Sequence, residues 1–156
     1  MSSYEKDIQF DLILPKRKIS THKQALAIIA KEAAEHLNIS EKMVLKRITE
    51  KEQISSSAIG DGVAIPHAKM RRVNAPFTVL MSVDNPINWE TPDNAPLDLY
   101  CLLISPLSDG PVHLRRLSRL SRLLKNETLH KRIRETQDTA IIQSLLIDPE
   151  GWLLAA

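Results

Sequence analysis

At 156 residues the chain is the size of one domain and long enough to bury a core, and its 43% hydrophobic and 26% charged residues exclude a disordered or fibrous polymer. A formal net charge of +2 and 4% aromatic residues give no footing for a nucleic-acid partner. The lone cysteine, Cys101, rules out an internal disulfide, and no apolar stretch reaches bilayer length; the expected setting is the cytoplasm, without a signal peptide or a membrane-embedded segment.

The first apolar segment, Ile8 to Leu14, is expected to be a strand stopped by Pro15 and the basic Lys16-Arg17-Lys18. Thr21 followed by Gln24 has the form of a capping box. Leu26, Ile29, Ala33 and Leu37 recur behind it at helical spacing, which predicts a helix ending near Asn38. Ser40 caps a second helix, with Val44 and Ile48 inward, that runs to Lys51 or Glu52. The runs Phe77 to Val83 and Leu97 to Ile104 have strand length and nearly continuous apolar character, as in strands covered on both faces. Cys101 lies inside the second run and reads as packing. Between them, Asp84 to Pro96 holds Pro86 and Pro92 and reads as loop. Asp109-Gly110-Pro111 starts a helix with Leu114, Leu117, Leu120 and Leu124 as its apolar stripe. Glu127 to Arg134 forms a short further helix, and Asp138 caps a last one carrying Ile141, Ile142, Leu145 and Leu146. The pattern is that of an α/β domain, a mixed sheet covered by helices, over residues 8–152, with residues 1–7 as a short tail.

The chemistry concentrates in Gly60-Asp61-Gly62-Val63-Ala64-Ile65-Pro66-His67. Two glycines permit sharp turns or close backbone approach. Val63, Ala64 and Ile65 can lie in a sheet, and Pro66 stiffens the path, so His67 arrives in a fixed orientation at the end of a strand-like segment. The residues alone also fit a hairpin that happens to end in histidine. Read from Ser55 to His67, however, the stretch resembles the active-site signature of enzyme IIA of the phosphoenolpyruvate-dependent phosphotransferase system. The similarity is to the fructose/mannitol-type class, and above all to its nitrogen-regulatory members. The G-x-G-x-A-I-P-H core matches at every fixed position, and the resemblance extends from about Phe10 to Trp152. The family usually has Arg at Lys51, Gly at Ser55 and Ala58, and Asn at Asp61.

The resemblance implies a single-domain α/β sandwich, a central mixed sheet with helices on both sides. It also implies that His67 accepts a phosphoryl group on Nε2 from the histidine of an HPr-type carrier. For that, one ring nitrogen must be unprotonated while the other keeps its proton, and a hydrogen bond from the second would fix the tautomer. Exchange between two histidines calls for positioning and charge stabilisation, with no cofactor. His113 aligns with a second family histidine that lies beside the phosphorylated ring; its alternative is an ordinary first-turn residue facing solvent. Lys51 and Ser57 are candidates for stabilising the phosphate, though Lys51 also fits a solvated helix end and Ser57 a serine-rich turn. Arg115, Arg116, Arg119 and Arg122 give either a docking flank or the solvated face of a helix. His67 and His113 lack further ligands at metal spacing, so no metal is expected. The implied partners are the carrier and then one of two kinds of acceptor. The first is a set of regulatory targets, such as potassium transport or a sensor kinase, bound according to phosphorylation state. The alternative is a IIB protein in fructose/mannitol-type uptake.

Overall fold

The computed structural model describes residues 9–89 and 92–147. The expected tail of residues 1–7, the strand start at Ile8 and the domain end at residue 152 lie outside them.

The fold is built on the strand with the longest unbroken burial. The Leu97–Pro106 segment is buried at all of its positions, and we number it β6 after five shorter or earlier strands: β1 (Leu12–Arg17), β2 (Ala58–Gly60), β3 (Val63–Ala64), β4 (His67–Met70) and β5 (Phe77–Ile87). Strand β6 pairs antiparallel with β5 on one side and parallel with β3 and then β4 on the other. Strand β1 is parallel to β5, and β2 is antiparallel to β3, giving the order β1-β5-β6-β3-β2 with β4 also on β6. Five helices complete the chain: α1 (His22–Leu37), α2 (Glu41–Ile54), α3 (Pro111–Leu124), α4 (Glu127–Glu135) and α5 (Thr139–Ile147).

Burial on both faces explains why β6 is nearly continuously apolar, with period-two alternation from Leu99 to Ile104. Leu97, Tyr100, Leu102 and Ile104 join the core under α1 and α2, whereas Leu99, Cys101 and Leu103 join the core under α3, α4 and α5. A mixed sheet with helices on both faces is thus the observed architecture. Cys101 is fully buried, and burial pushes its thiol far above the usual range, in keeping with a packing role.

The capping signals hold. Thr21 accepts from the Gln24 amide, Ser40 from that of Met43 and Asp138 from that of Ala140, and Asn38 ends α1 at a φ of 55°. The Gln24 side chain reaches the Ser20 amide rather than that of Thr21, so the box is displaced by one residue.

Three boundaries differ from the sequence-based expectation. Strand β1 runs through Pro15 instead of stopping there. It is the edge strand, paired only with β5, and its register shifts between Leu14 and Arg17, so no ladder bond is needed from the proline. Strand β5 continues to Ile87 through the expected loop, again across a register shift, with Pro86 exposed. In α3 the stripe is rotated: Leu114 is 66% exposed, and the inward residues are His113, Arg116, Leu120, Leu123 and Leu124. The first turn of this helix packs on a polar site, not on the core.

Candidate active site at the start of β4

Strands β3 and β4 run in succession along the same side of β6, interrupted at Ile65-Pro66. The break is specified locally. The Ile65 amide turns away to Ser57 O at 2.8 Å, and Pro66 has no amide but accepts from Leu103 at 3.1 Å. His67 therefore opens β4 rather than closing the strand before it. Ala68 and Met70 enter the core under α1 and α2, so His67 and Lys69 face the other side of the sheet.

That face meets the first turn of α3. Gly110, at a φ of 53°, turns the chain into the helix with Pro111 at its start, and His113 follows. His113 Nε2 lies 3.0 Å from His67 Nδ1, with the rings tilted by 46°. Behind it, His113 Nδ1 is 2.7 Å from Ser105 Oγ. Ser105 sits on β6 two residues after Leu103 and shares its face. Arg116, one helical turn after His113, donates from Nη1 to Ser105 Oγ at 3.0 Å and to Asp109 Oδ2. His113 thus lies beside His67, and its 4% exposure excludes the solvent-facing alternative.

The electrostatics disfavour the charged form of both rings. Burial, and then the Lys51 charge, hold His67 below its ordinary value, with Glu52 opposing. Burial takes His113 down to about 4, helped by His67, Lys69, Arg116 and Lys51. His67 Nε2 makes no hydrogen bond among the described residues and is the ring atom left open to a reactant.

Lys51 is exposed on the last turn of α2, close enough for its charge to act on both rings. Ser57 is 6% exposed; its amide donates to Glu52 at 3.0 Å, and its hydroxyl has no partner among the described residues. Glu52 also accepts from His22, whose ring contacts the Tyr100 hydroxyl at 2.8 Å and stacks on Trp89. Burial pushes the Glu52 carboxyl up, but the bonds from His22 and Ser57 outweigh it and hold the group below its ordinary value. The Ser55–Ser57 turn is therefore tied to α1 and α2. Asp61, at a φ of 56°, points outward to Lys125, 3.8 Å away, and Lys125 also donates to Ile59 O.

Gly62 is the glycine that the fold cannot replace. Its φ is 81°, and a Cβ would lie 2.9 Å from Asp98 Oδ1, a carboxylate held by His130 and Arg134. The basic flank expected along α3 divides. Arg115 and Arg122 are exposed, while Arg116 is buried and spent on Ser105 and Asp109. A second basic surface was not expected. Arg47 on α2 and Lys69, Arg71 and Arg72 around the end of β4 line an open groove of about 550 Å³ beside Met43 and Leu107. None of these four cations has an ion-pair partner among the described residues.

Comparison with known proteins shows the family of the chain. The family described as "Phosphoenolpyruvate-dependent sugar phosphotransferase system, EIIA 2" matches residues 8–148. The nitrogen regulatory protein of Bradyrhizobium diazoefficiens is 37% identical over 139 residues, 89% of this chain and 91% of that protein. That of Escherichia coli K12 is 32% identical over 130 residues, 83% of this chain and 80% of that protein. Among solved structures, nitrogen regulatory protein IIA-Ntr from Neisseria meningitidis superposes with a TM-score of 0.82 at 19% identity, covering 93% of this chain and 99% of that one. IIA mannitol from Escherichia coli gives 0.72 at 18% identity, covering 86% and 94%. The chain belongs to the EIIA 2 family of the phosphoenolpyruvate-dependent phosphotransferase system.

Proposed function

We propose that this protein is a histidine phosphocarrier that takes a phosphoryl group from an HPr-type carrier onto Nε2 of His67 and acts as a phosphorylation-dependent regulator in the cytoplasm. The observation that carries the reading is the His67–His113 pair: a rigidly placed ring whose Nδ1 is engaged at 3.0 Å and whose Nε2 is open. His113 assists by fixing that ring. Lys51 supplies positive charge near the developing phosphate, and the unpartnered hydroxyl of Ser57 is a candidate donor to a phosphoryl oxygen. As a lysine, residue 51 acts as a point charge without the two-pronged grip of arginine.

Relatives named nitrogen regulatory protein, matched over most of their own length, support regulation as the outcome. So does the chemistry. Phosphorylation places roughly two negative charges on a neutral ring. The basic groove lined by Arg47, Lys69, Arg71 and Arg72 suits an acidic partner, whose attraction to the protein the added negative charge offsets. Targets in potassium transport, sensor-kinase or stress pathways belong to this proposal as the family resemblance supplies them. The relay reading also has a specific support, a fold neighbour solved as a complex of enzyme IIA and phosphorylated enzyme IIB for mannitol. Capture of partners from the source cell by the unphosphorylated protein, the phosphorylated protein and His67→Ala separates the two. Partner sets that differ with phosphorylation support regulation; identical sets, with efficient transfer to a IIB protein, support the relay.

A further inference from the structure

The buried hydroxyl behind His113 decides which way the protons of the two rings run. Ser105 is 0% exposed. Among the described residues its Oγ has two hydrogen-bonding neighbours, His113 Nδ1 at 2.7 Å and Arg116 Nη1 at 3.0 Å. A guanidinium only donates. Arg116 is itself held in place, 7% exposed and bonded to Asp109. It therefore occupies a lone pair of Oγ, and the Ser105 hydrogen has one acceptor left, His113 Nδ1. A neutral His113 that accepts at Nδ1 carries its proton on Nε2, the atom 3.0 Å from His67 Nδ1. The ring thus donates to His67, whose own proton sits on Nε2 in the resting protein. Sequence reasoning had the bond running the other way, with His67 Nδ1 as the donor.

We propose that Ser105 and Arg116 are positioning residues that hold the His113 proton toward Nδ1 of His67, an arrangement matched to the phosphorylated ring, and so prolong the life of the phosphohistidine. The proposal rests on the reading of His67 as the acceptor. In a neutral ring phosphorylated at Nε2, Nδ1 bears a lone pair, which is what His113 donates to. The transfer balances. His67 first exchanges its Nε2 proton through water for one on Nδ1, which frees the Nε2 lone pair; the Nε2–P bond then forms as the P–N bond of the carrier breaks, the Nδ1 proton is released to water, and the freed ring nitrogen of the carrier takes one up in its place. Loss of the phosphoryl group is fastest from a ring protonated at Nδ1, because a neutral imidazole then departs. A donor already seated at Nδ1 opposes that protonation.

The test begins with the ¹⁵N spectrum of histidine-labelled, unphosphorylated wild-type protein. Nδ1 of both rings should be unprotonated and Nε2 of both protonated. Ser105→Ala and Arg116→Met should mix the tautomers and shorten the half-life of the phosphorylated protein by about tenfold, the loss of one buried hydrogen bond. Arg116→Lys, which still donates to Oγ, should restore most of it. A proton on Nδ1 of wild-type His67, or unchanged tautomers and half-life in the Ser105 and Arg116 variants, overturns the proposal. The wild-type spectrum needs no variant, so a misfolded Ser105→Ala still leaves a decision. Failure of the acceptor reading shows separately, as wild-type protein that carries no phosphate on His67.

Discussion

His113 should make the protein lose stability as the pH falls, and the amount follows from its burial. Its folded pKa is about 4 against an ordinary 6.5, because the interior and the cations around it disfavour the imidazolium. The unfolded chain therefore binds the proton first. The stabilisation is complete above pH 6.5, is lost as the pH falls from there toward 4, and levels off below. At pH 5 the unfolded ring is almost fully protonated and the folded ring is not, a difference of about 2 kcal/mol relative to neutral pH. His113→Gln keeps a polar side chain in the first turn of α3 but does not titrate. Urea unfolding of both proteins at pH 7 and pH 5 isolates the effect. The stability gap between wild type and variant should shrink by about 2 kcal/mol on acidification. A gap that is the same at both pH values refutes the reasoning, because His113 would then have an ordinary pKa and an environment more open than its 4% exposure implies.

The same His113→Gln protein, given a phosphorylated carrier at neutral pH, should be labelled more slowly by a factor of about 10² or more, since it loses a fixed partner of the reacting ring; labelling at the wild-type rate removes His113 from the site. Gly62→Ala should destabilise by about 2–4 kcal/mol, combining the left-handed φ with a clash against a carboxylate that is tied down. Gly60→Ala, whose Cβ meets only side-chain ends at 3.6 Å or more, should cost about 1 kcal/mol, and thermal unfolding that ranks the two the other way contradicts the packing described. Lys51→Ala should raise the pKa of His67, because the Lys51 charge helps hold it down, and an unmoved ¹H or ¹⁵N titration would show that this charge is screened by solvent.

What the sequence displays is local. The short spacing of Gly60, Gly62, Pro66 and His67 carries the family resemblance and singles out His67 as the proposed acceptor, and the caps at Thr21, Ser40 and Asp138 place three helices because each cap lies within one turn of its partner. The nearly continuous apolar run of β6 discloses a strand buried on both faces. The supporting contacts span 5 to 78 residues of chain, and no spacing rule reaches the longer ones. Ser105 reads as the polar end of an apolar strand, yet its register beside Lys69 on β4 turns it toward His113. Arg116 is one of four arginines on α3 and nothing in composition sets it apart; its separation of three residues from His113 was the available signal, since residues so spaced share a helix face. Leu114 looked like core for the same reason in reverse, because helical periodicity shows that a stripe exists but not what it faces. Pro15 stops a central strand but not an edge strand, and edge position is a property of the whole sheet.

The central claim is that His67 is the phosphoryl acceptor and that the bond forms at Nε2. The direct measurement is incubation with phosphoenolpyruvate, enzyme I and an HPr-type carrier, followed by ³¹P and ¹⁵N spectra of the product and the same labelling of His67→Ala. One acid-labile phosphoryl group on Nε2 of His67, absent from the variant, is the result expected. Undiminished labelling of His67→Ala, or phosphorus on Nδ1, would contradict the account.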